Sequence, residues 1–231
     1  MKILILALIL IFGVSSTAFA EERISTISVS GEGVIEVAPD RATISVGVVT
    51  RDKNASKVQN DNARIASEII KSVAALGIDK KNIRTGNYSF HQYYRQENNK
   101  RVADGYESNN TVTIIVDDLN LVGKIIDTSL SHGANNIDSL EFGIKNKAAL
   151  QNDAIRLAVR DARAKAEVVA AELGKNIIGV KNVAVNAGYI SAPRANKMFA
   201  VEMEMDMAIE TPIESGTLTC NANVHVEFEI D

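Results

Sequence analysis

The sequence is poor in the residues from which reactive or cross-linked sites are usually built. Cys220 is its only cysteine, so no disulfide can close within the chain. Three histidines occur, His91, His132 and His225, and they lie far apart. The nearest approach to a metal-ligand spacing is His225 with Glu227, which makes two ligands where a structural zinc site takes about four. No serine sits in a G-x-S-x-G turn, and no nucleophile, base and orienting group fall into a recognisable pattern. Catalytic, cofactor-binding and metal-binding residues are therefore not assigned, and an enzyme is not expected. The formal net charge is −4, without the clustered lysine and arginine that neutralise phosphates, so nucleic acid is not an expected partner. Past residue 20 no apolar run approaches the ~20 residues of a membrane-spanning helix.

What is present begins with an export signal. Met1-Lys2 is a short positive segment, Ile3 to Val14 is a nearly unbroken apolar run, and Ala18-x-Ala20 sets small residues where a signal peptidase reads. The run is too short for a membrane span. The expectation is a signal peptide over residues 1–20, cleaved after Ala20, and a mature domain over residues 21–231, with an uncleaved N-terminal anchor as the alternative. Cleavage removes Lys2 as the only charge of that segment, so −4 becomes −5. No cysteine sits just after the cleavage site, which argues against a lipid anchor.

The periodicity of the rest predicts an α+β fold. Ile27 and Val29 alternate with serines, Gly31-Glu32-Gly33 interrupts, Val34, Ile35 and Val37 resume, and Ala42, Ile44, Val46 and Val48 follow at period two. This reads as a strand pair with a glycine bulge or bend. Val58, Ile65, Ile69, Val73 and Leu76 form a helical stripe between Asn54, a candidate N-cap, and Gly77. Extended segments are expected over 83–94 and 106–116, with a polar hairpin loop over 95–105. Asp117-Asp118 can cap a second helix with a stripe of Leu119, Val122, Ile126 and Leu130, and Leu140, Phe142 and Ile144 alternate as a strand.

The longest helix is expected from Asn146 to Leu173, with Ala154, Ala158, Ala162, Ala166 and Ala170 on its buried face. At 1.5 Å per residue it is roughly 40 Å long, long enough to brace two parts of the molecule. Leu218, Cys220, Ala222, Val224, Val226, Phe228 and Ile230 share one face of the last strand. The order from Arg41 to Ile144 is that of a split β-α-β, ferredoxin-like core of antiparallel or mixed sheet. The expected sublayers are residues 34–145 for that core, and 146–231 with 24–30 for a smaller β-α-β-β layer.

Three features carry candidate chemistry. Gly31-Glu32-Gly33 is the only G-x-G near a strand, but no helix follows to aim its amides at a phosphate, so the bulge is the preferred reading. Tyr88, Phe90, Tyr93, Tyr94 and Tyr106 gather on one hairpin of a chain that is only 5% aromatic. They serve either cross-strand packing or a protein–protein contact. Met198, Met203, Met205 and Met207 interleave with Glu202, Glu204 and Asp206. This stretch is a surface loop, an arm packing on a neighbouring subunit, or a thioether site for copper(I) or oxidants.

Several stretches resemble the SIMPL family of bacterial exported proteins. They are Val29-Ser-Gly-Glu-Gly-Val-Ile-Glu-Val-Ala-Pro-Asp-Arg-Ala42, Gly105-Tyr-Glu-Ser-Asn-Asn-Thr-Val112, Asp117-Asp-Leu119, Gly133-Ala-Asn-Asn-Ile137, Asp161-Ala-Arg-Ala-Lys-Ala166 and Pro212-Ile-Glu-Ser-Gly216. The resemblance implies a periplasmic or envelope-associated protein of mixed α/β fold that forms homo-oligomers and is loosely connected with oxidative and envelope stress. It implies no catalytic residues. The expected function is thus a non-enzymatic envelope protein that assembles with itself. Tyr88, Tyr93, Tyr94, Tyr106 and the four methionines are its candidate contacts, and a metal or small-ligand module on residues 198–207 is the alternative.

Overall fold

The computed structural model describes residues 25–186, 188–191 and 211–231. The expected signal peptide and Met198, Met203, Met205 and Met207 lie outside the described residues. The elements run β1 (Ser25–Val37), β2 (Arg41–Asp52), α1 (Ala55–Ala75), β3 (Ile83–Glu97), β4 (Lys100–Val116), α2 (Val122–Ser131), β5 (Asn136–Gly143), α3 (Lys147–Glu172), β6 (Ile177–Asn186), β7 (Ile190–Ser191) and β8 (Leu218–Ile230). The helix caps follow the sequence: the Asn54 side chain accepts from the Lys57 amide, and that of Asn146 from the Ala149 amide, satisfying donors that the first turn leaves open. Gly77 and Gly174, just past α1 and α3, take positive φ.

Two antiparallel sheets result. In one, β8 lies between β1 and β6, with β7 also on β8; in the other the order is β3-β4-β2-β5. β1 does not pair with β2. It pairs along its whole length with β8, from Ser25↔Ile230 to Val37↔Leu218, in unbroken register. The expected β1–β2 pair and its glycine bulge are both corrected by this register. The Ala38-Pro39-Asp40 turn carries the chain from one sheet to the other instead of closing a hairpin.

The glycines have a different task. A Cβ built on Gly31 would stand 2.0 Å from the Ala158 carbonyl oxygen, and one on Gly33 2.0 Å from that of Ala154. Helix α3 therefore rests its backbone directly on β1, with Ala154, Ala158, Ala162, Ala166 and Ala170 all buried. Two residues along the strand match four back along the helix. That is a spacing of ~6.6 Å against ~6.0 Å, so the two repeats are nearly commensurate. The core of this half is built from α3 alanines and the apolar face of β8. α3 packs on β1, β8 and β6, so its length covers one sheet and does not brace two.

The other sheet buries Ala42, Ile44, Val46 and Val48 of β2 and Val112, Ile114 and Val116 of β4 beneath α1 and α2. Asn62 of α1 is wholly buried and donates to the carbonyls of Val48 and Ser108, at 2.8 and 3.2 Å, tying the helix to both strands. The polar loop expected over 95–105 is also corrected. The ladder continues to Glu97↔Lys100, and only Asn98 and Asn99 turn, both at positive φ as a two-residue hairpin turn requires.

Candidate functional site

Two exposed surfaces concentrate the side chains available for contact. The first is the end of the β3–β4 hairpin. β2 pairs with β4 only between Tyr106 and Val116, while β3 follows β4 out to Lys100. The hairpin tip therefore extends past β2 as a two-stranded arm. Tyr88 pairs with Asn110 and Phe90 with Ser108, which places both on the face of Val112 and Ile114. Phe90 stacks on Tyr106 with ring centroids 5.8 Å apart.

Tyr93 belongs to the opposite face, where the Arg51 guanidinium lies 4.3 Å from its ring centre and also pairs with Glu107. The partner carboxylate raises the Arg51 pKa further above its ordinary value. Tyr94 carries Arg101 over its ring at 4.9 Å and donates its hydroxyl to Gln92. The structure thus brings Tyr88, Tyr94 and Tyr106 together on one hairpin but sets Tyr93 apart from them. Tyr88, at 50% exposure, has the most uncovered surface of the hairpin aromatics.

The second surface was not singled out in the sequence. Among the described residues β6 pairs with β8 alone and forms an edge of its sheet. Its ladder shifts register between Ile177 and Gly179 and again between Val180 and Asn182, so apolar side chains appear on both faces. Ile178 is 63% exposed, and Val180, Val183 and Val185 are each about half exposed. Leu173 and Val168 of α3 and Tyr189 are exposed as well. The signal lay in apolar residues at 177, 178, 180, 183 and 185, which fit neither period two nor period 3.6.

Elsewhere the titratable groups serve one another. His225 Nδ1 lies 3.2 Å from the Ser30 hydroxyl, and Glu227 accepts from Thr26 and Lys181 at 2.9 and 3.1 Å. These donors, Thr26 first, hold the Glu227 carboxyl below its ordinary range. Cys220 is fully buried, and burial pushes its thiol pKa up. Among the described residues no group of three or more His, Cys, Asp or Glu side chains could hold a metal. Also among them, no helix is long and apolar enough to cross a membrane.

The comparisons agree on one relationship. The SIMPL family, described as a protein of unknown function (DUF541), matches residues 27–228. A 26 kDa periplasmic immunogenic protein of Brucella melitensis biotype 1 is 27% identical over 234 residues, covering 96% of this chain and 94% of the relative. An uncharacterized protein YggE of Escherichia coli K12 is 23% identical over 234 residues, covering 100% and 95%. YggE of Edwardsiella ictaluri is 25% identical, covering 87% and 91%.

Proposed function

The chain belongs to the SIMPL family and is a periplasmic protein, and from that premise we propose that it is a non-enzymatic envelope component that assembles with copies of itself under oxidative or envelope stress. The observation that carries the reading is the outer edge of β6, with which no other described strand pairs. Monomeric proteins blunt such edges with charge, proline or a covering segment. β6 has one charged residue, Lys181, and that side chain is drawn onto Glu227. Apolar side chains on both faces of an open edge match an interface whose core is apolar and whose ladder continues into a second chain. The hairpin, with Tyr93 and Tyr94 on the arm and Tyr88 and Tyr106 at its base, provides a further aromatic contact of the kind enriched at interface centres.

Light scattering on residues 21–231 over a wide concentration range tests this. The expected result is a discrete mass several times that of the chain, reduced when Val180 and Val183 are both replaced by glutamate. A monomer at every concentration overturns the reading.

The same reading treats the β3-β4-β2-β5 order, with α1 and α2 as crossovers, as a split β-α-β core. It treats the two sheets, each with its own apolar core, as sublayers. A second reading rests on the alternation of Met203, Met205 and Met207 with Glu202, Glu204 and Asp206: a thioether site for copper(I) or a sink for oxidants. Saturable copper(I) binding that disappears when Met198, Met203, Met205 and Met207 are replaced would support it, and unchanged binding would end it.

A further inference from the structure

Helix α1 covers β2 and β4 but stops short of the outer strand β3, and the uncovered strip is a groove of about 570 Å³. That lies within the range of about 300–1,000 Å³ typical of small-molecule sites. One wall is a stripe of α1 at helical spacing, Ala63, Ala66, Ser67, Ile70 and Ala74, adjoining the buried stripe of Asn62, Ile69 and Val73. Apart from Ile70 the residues of this wall are small, which leaves the groove open.

Asn110 is the β4 residue of the lining. Its side-chain Oδ1 is shut off from solvent and has no hydrogen-bond partner among the described residues. A buried acceptor left without a donor costs about 1–3 kcal/mol, so a bound group bringing an N–H or O–H recovers that loss. Lys71 on α1 and Lys80 in the turn before β3 complete the lining, which contains no acidic residue. The acids next to them in sequence are already engaged, Glu68 with Arg64 at 3.2 Å and Asp79 with Lys81 at 2.9 Å.

We propose that this groove binds a small amphipathic acid: an apolar body along the α1 wall, an anionic head between Lys71 and Lys80, and a hydroxyl or N–H donor on Asn110 Oδ1. Each part of the ligand answers one feature of the site. The wall of mostly small residues takes the chain, the ammonium groups of Lys71 and Lys80, which pair with no carboxylate among the described residues, take the charge, and the Asn110 oxygen takes the donor. Tyr88, opposite Asn110 in the ladder, is half exposed and lies outside the lining. The site is independent of the β6 edge and of residues 198–207, so its failure leaves the assembly reading untouched.

The test is a pair of probes, decanoate and α-hydroxydecanoate, titrated into the mature chain by calorimetry, with backbone amide shifts followed by NMR. The expected result is saturable binding of both, with shifts centred on Ser67, Lys71, Lys80 and Asn110. The hydroxy acid should bind about tenfold tighter, the worth of one hydrogen bond to a buried acceptor. Asn110→Leu should bring the two probes to equal affinity. Lys71→Gln with Lys80→Gln should weaken both acids several-fold while leaving the neutral probe decane-1,2-diol unaffected. Ser67 is exposed, so Ser67→Trp fills the groove without entering the core and should abolish binding, with circular dichroism confirming the fold.

No saturable binding, equal affinities of the two probes for the unaltered chain, or binding that survives Ser67→Trp overturns the proposal. So does a Ser67→Trp variant that loses assembled mass when the unaltered chain binds neither acid, since the groove would then be covered by a second copy.

Discussion

Replacing Gly31 by alanine should cost this protein far more stability than one methyl group suggests. The added Cβ would lie 2.0 Å from the Ala158 carbonyl oxygen, 2.5 Å from the Ala162 amide nitrogen and 2.8 Å from the Ala162 Cβ. An ordinary carbon–oxygen contact is about 3.3 Å or more, so α3 must retreat from β1 by roughly 1.3 Å along that line. A gap of that order forfeits at least a quarter to a half of each dispersion contact it opens. The contacts at stake are those of a helix whose buried face consists of five alanines, which cannot re-extend to refill the space.

Overpacking of a core typically costs about 1–3 kcal/mol. The obstruction here is helix backbone and cannot swing aside, which places Gly31→Ala at the upper end. The lower entropy of an unfolded alanine returns about 0.4–1 kcal/mol, leaving a net loss of about 2–2.6 kcal/mol. With a urea slope of about 2 kcal/mol/M, the denaturation midpoint should fall by about 1–1.3 M. Gly143→Ala is the matched control. Its Cβ would meet nothing within 4 Å, so only the unfolded-state gain remains and its midpoint should rise by about 0.2–0.5 M. Trimming the helix with Ala158→Gly should not rescue Gly31→Ala, because the nearest clash is with a carbonyl. A Gly31→Ala midpoint equal to that of Gly143→Ala, or a full rescue by Ala158→Gly, would refute the close-approach argument.

Two further outcomes follow from the polar groups. Asn62→Ala removes both donors from the Val48 and Ser108 carbonyls in a fully buried site, and should lower stability by about 2–4 kcal/mol in the same urea assay; a change within about 0.5 kcal/mol would refute it. Acid should destabilise the fold through Asp117, whose pKa is lowered first by its hydrogen bond from Arg41, and through Asp161, lowered first by Lys165 and then by the Glu32 amide. A carboxylate whose folded pKa is depressed binds fewer protons folded than unfolded. Its contribution is therefore complete above the ordinary aspartate pKa of about 3.9 and is lost as pH falls through the lowered value. Both pairs are largely exposed, so the effect is small. Arg41→Gln should flatten the fall in urea midpoint on acidification, and an unchanged slope would count against the pair.

Elements with one strong local signal could be read directly from the sequence. β8 alternates seven apolar with six polar residues, and its apolar face is buried throughout, from Leu218 to Ile230. α1 has a cap, a stripe and a stop, and its bounds fall within a residue or so of those expected. What could not be read was partnership across long separations. β1 looks like the neighbour of β2 because the two adjoin in the chain, and even the grouping of 24–30 with 146–231 left residues 34–37 with the other sublayer, yet the whole of β1 pairs with β8. The same blindness turned Gly31 and Gly33 into a bulge. Their meaning depends on Ala154 and Ala158, and only the match between a two-residue strand repeat and a four-residue helix repeat links them. The groove beside α1 was hidden for a related reason: Ala63, Ser67 and Ala74 read as an ordinary helix flank until the sheet beneath is seen to extend past it.

The pairing of β1 with β8 also sets an order of assembly. Strands β2 to β5 and their two helices form a contiguous segment, Arg41 to Gly143, in which every ladder can close as soon as that segment is available. The other sheet cannot begin in the same way. Its central strand is the last one synthesised, and Ser25 must find Ile230 across a loop that contains the entire first-formed half. The entropy of closing such a loop is met before its contacts repay it, which makes this the slow, late step. A chain emerging into the periplasm N-terminus first would hold β1 and the alanine face of α3 uncovered until its final residues arrive. In that interval the waiting strand and helix are open to any chaperone, or to the β8 of a neighbouring copy.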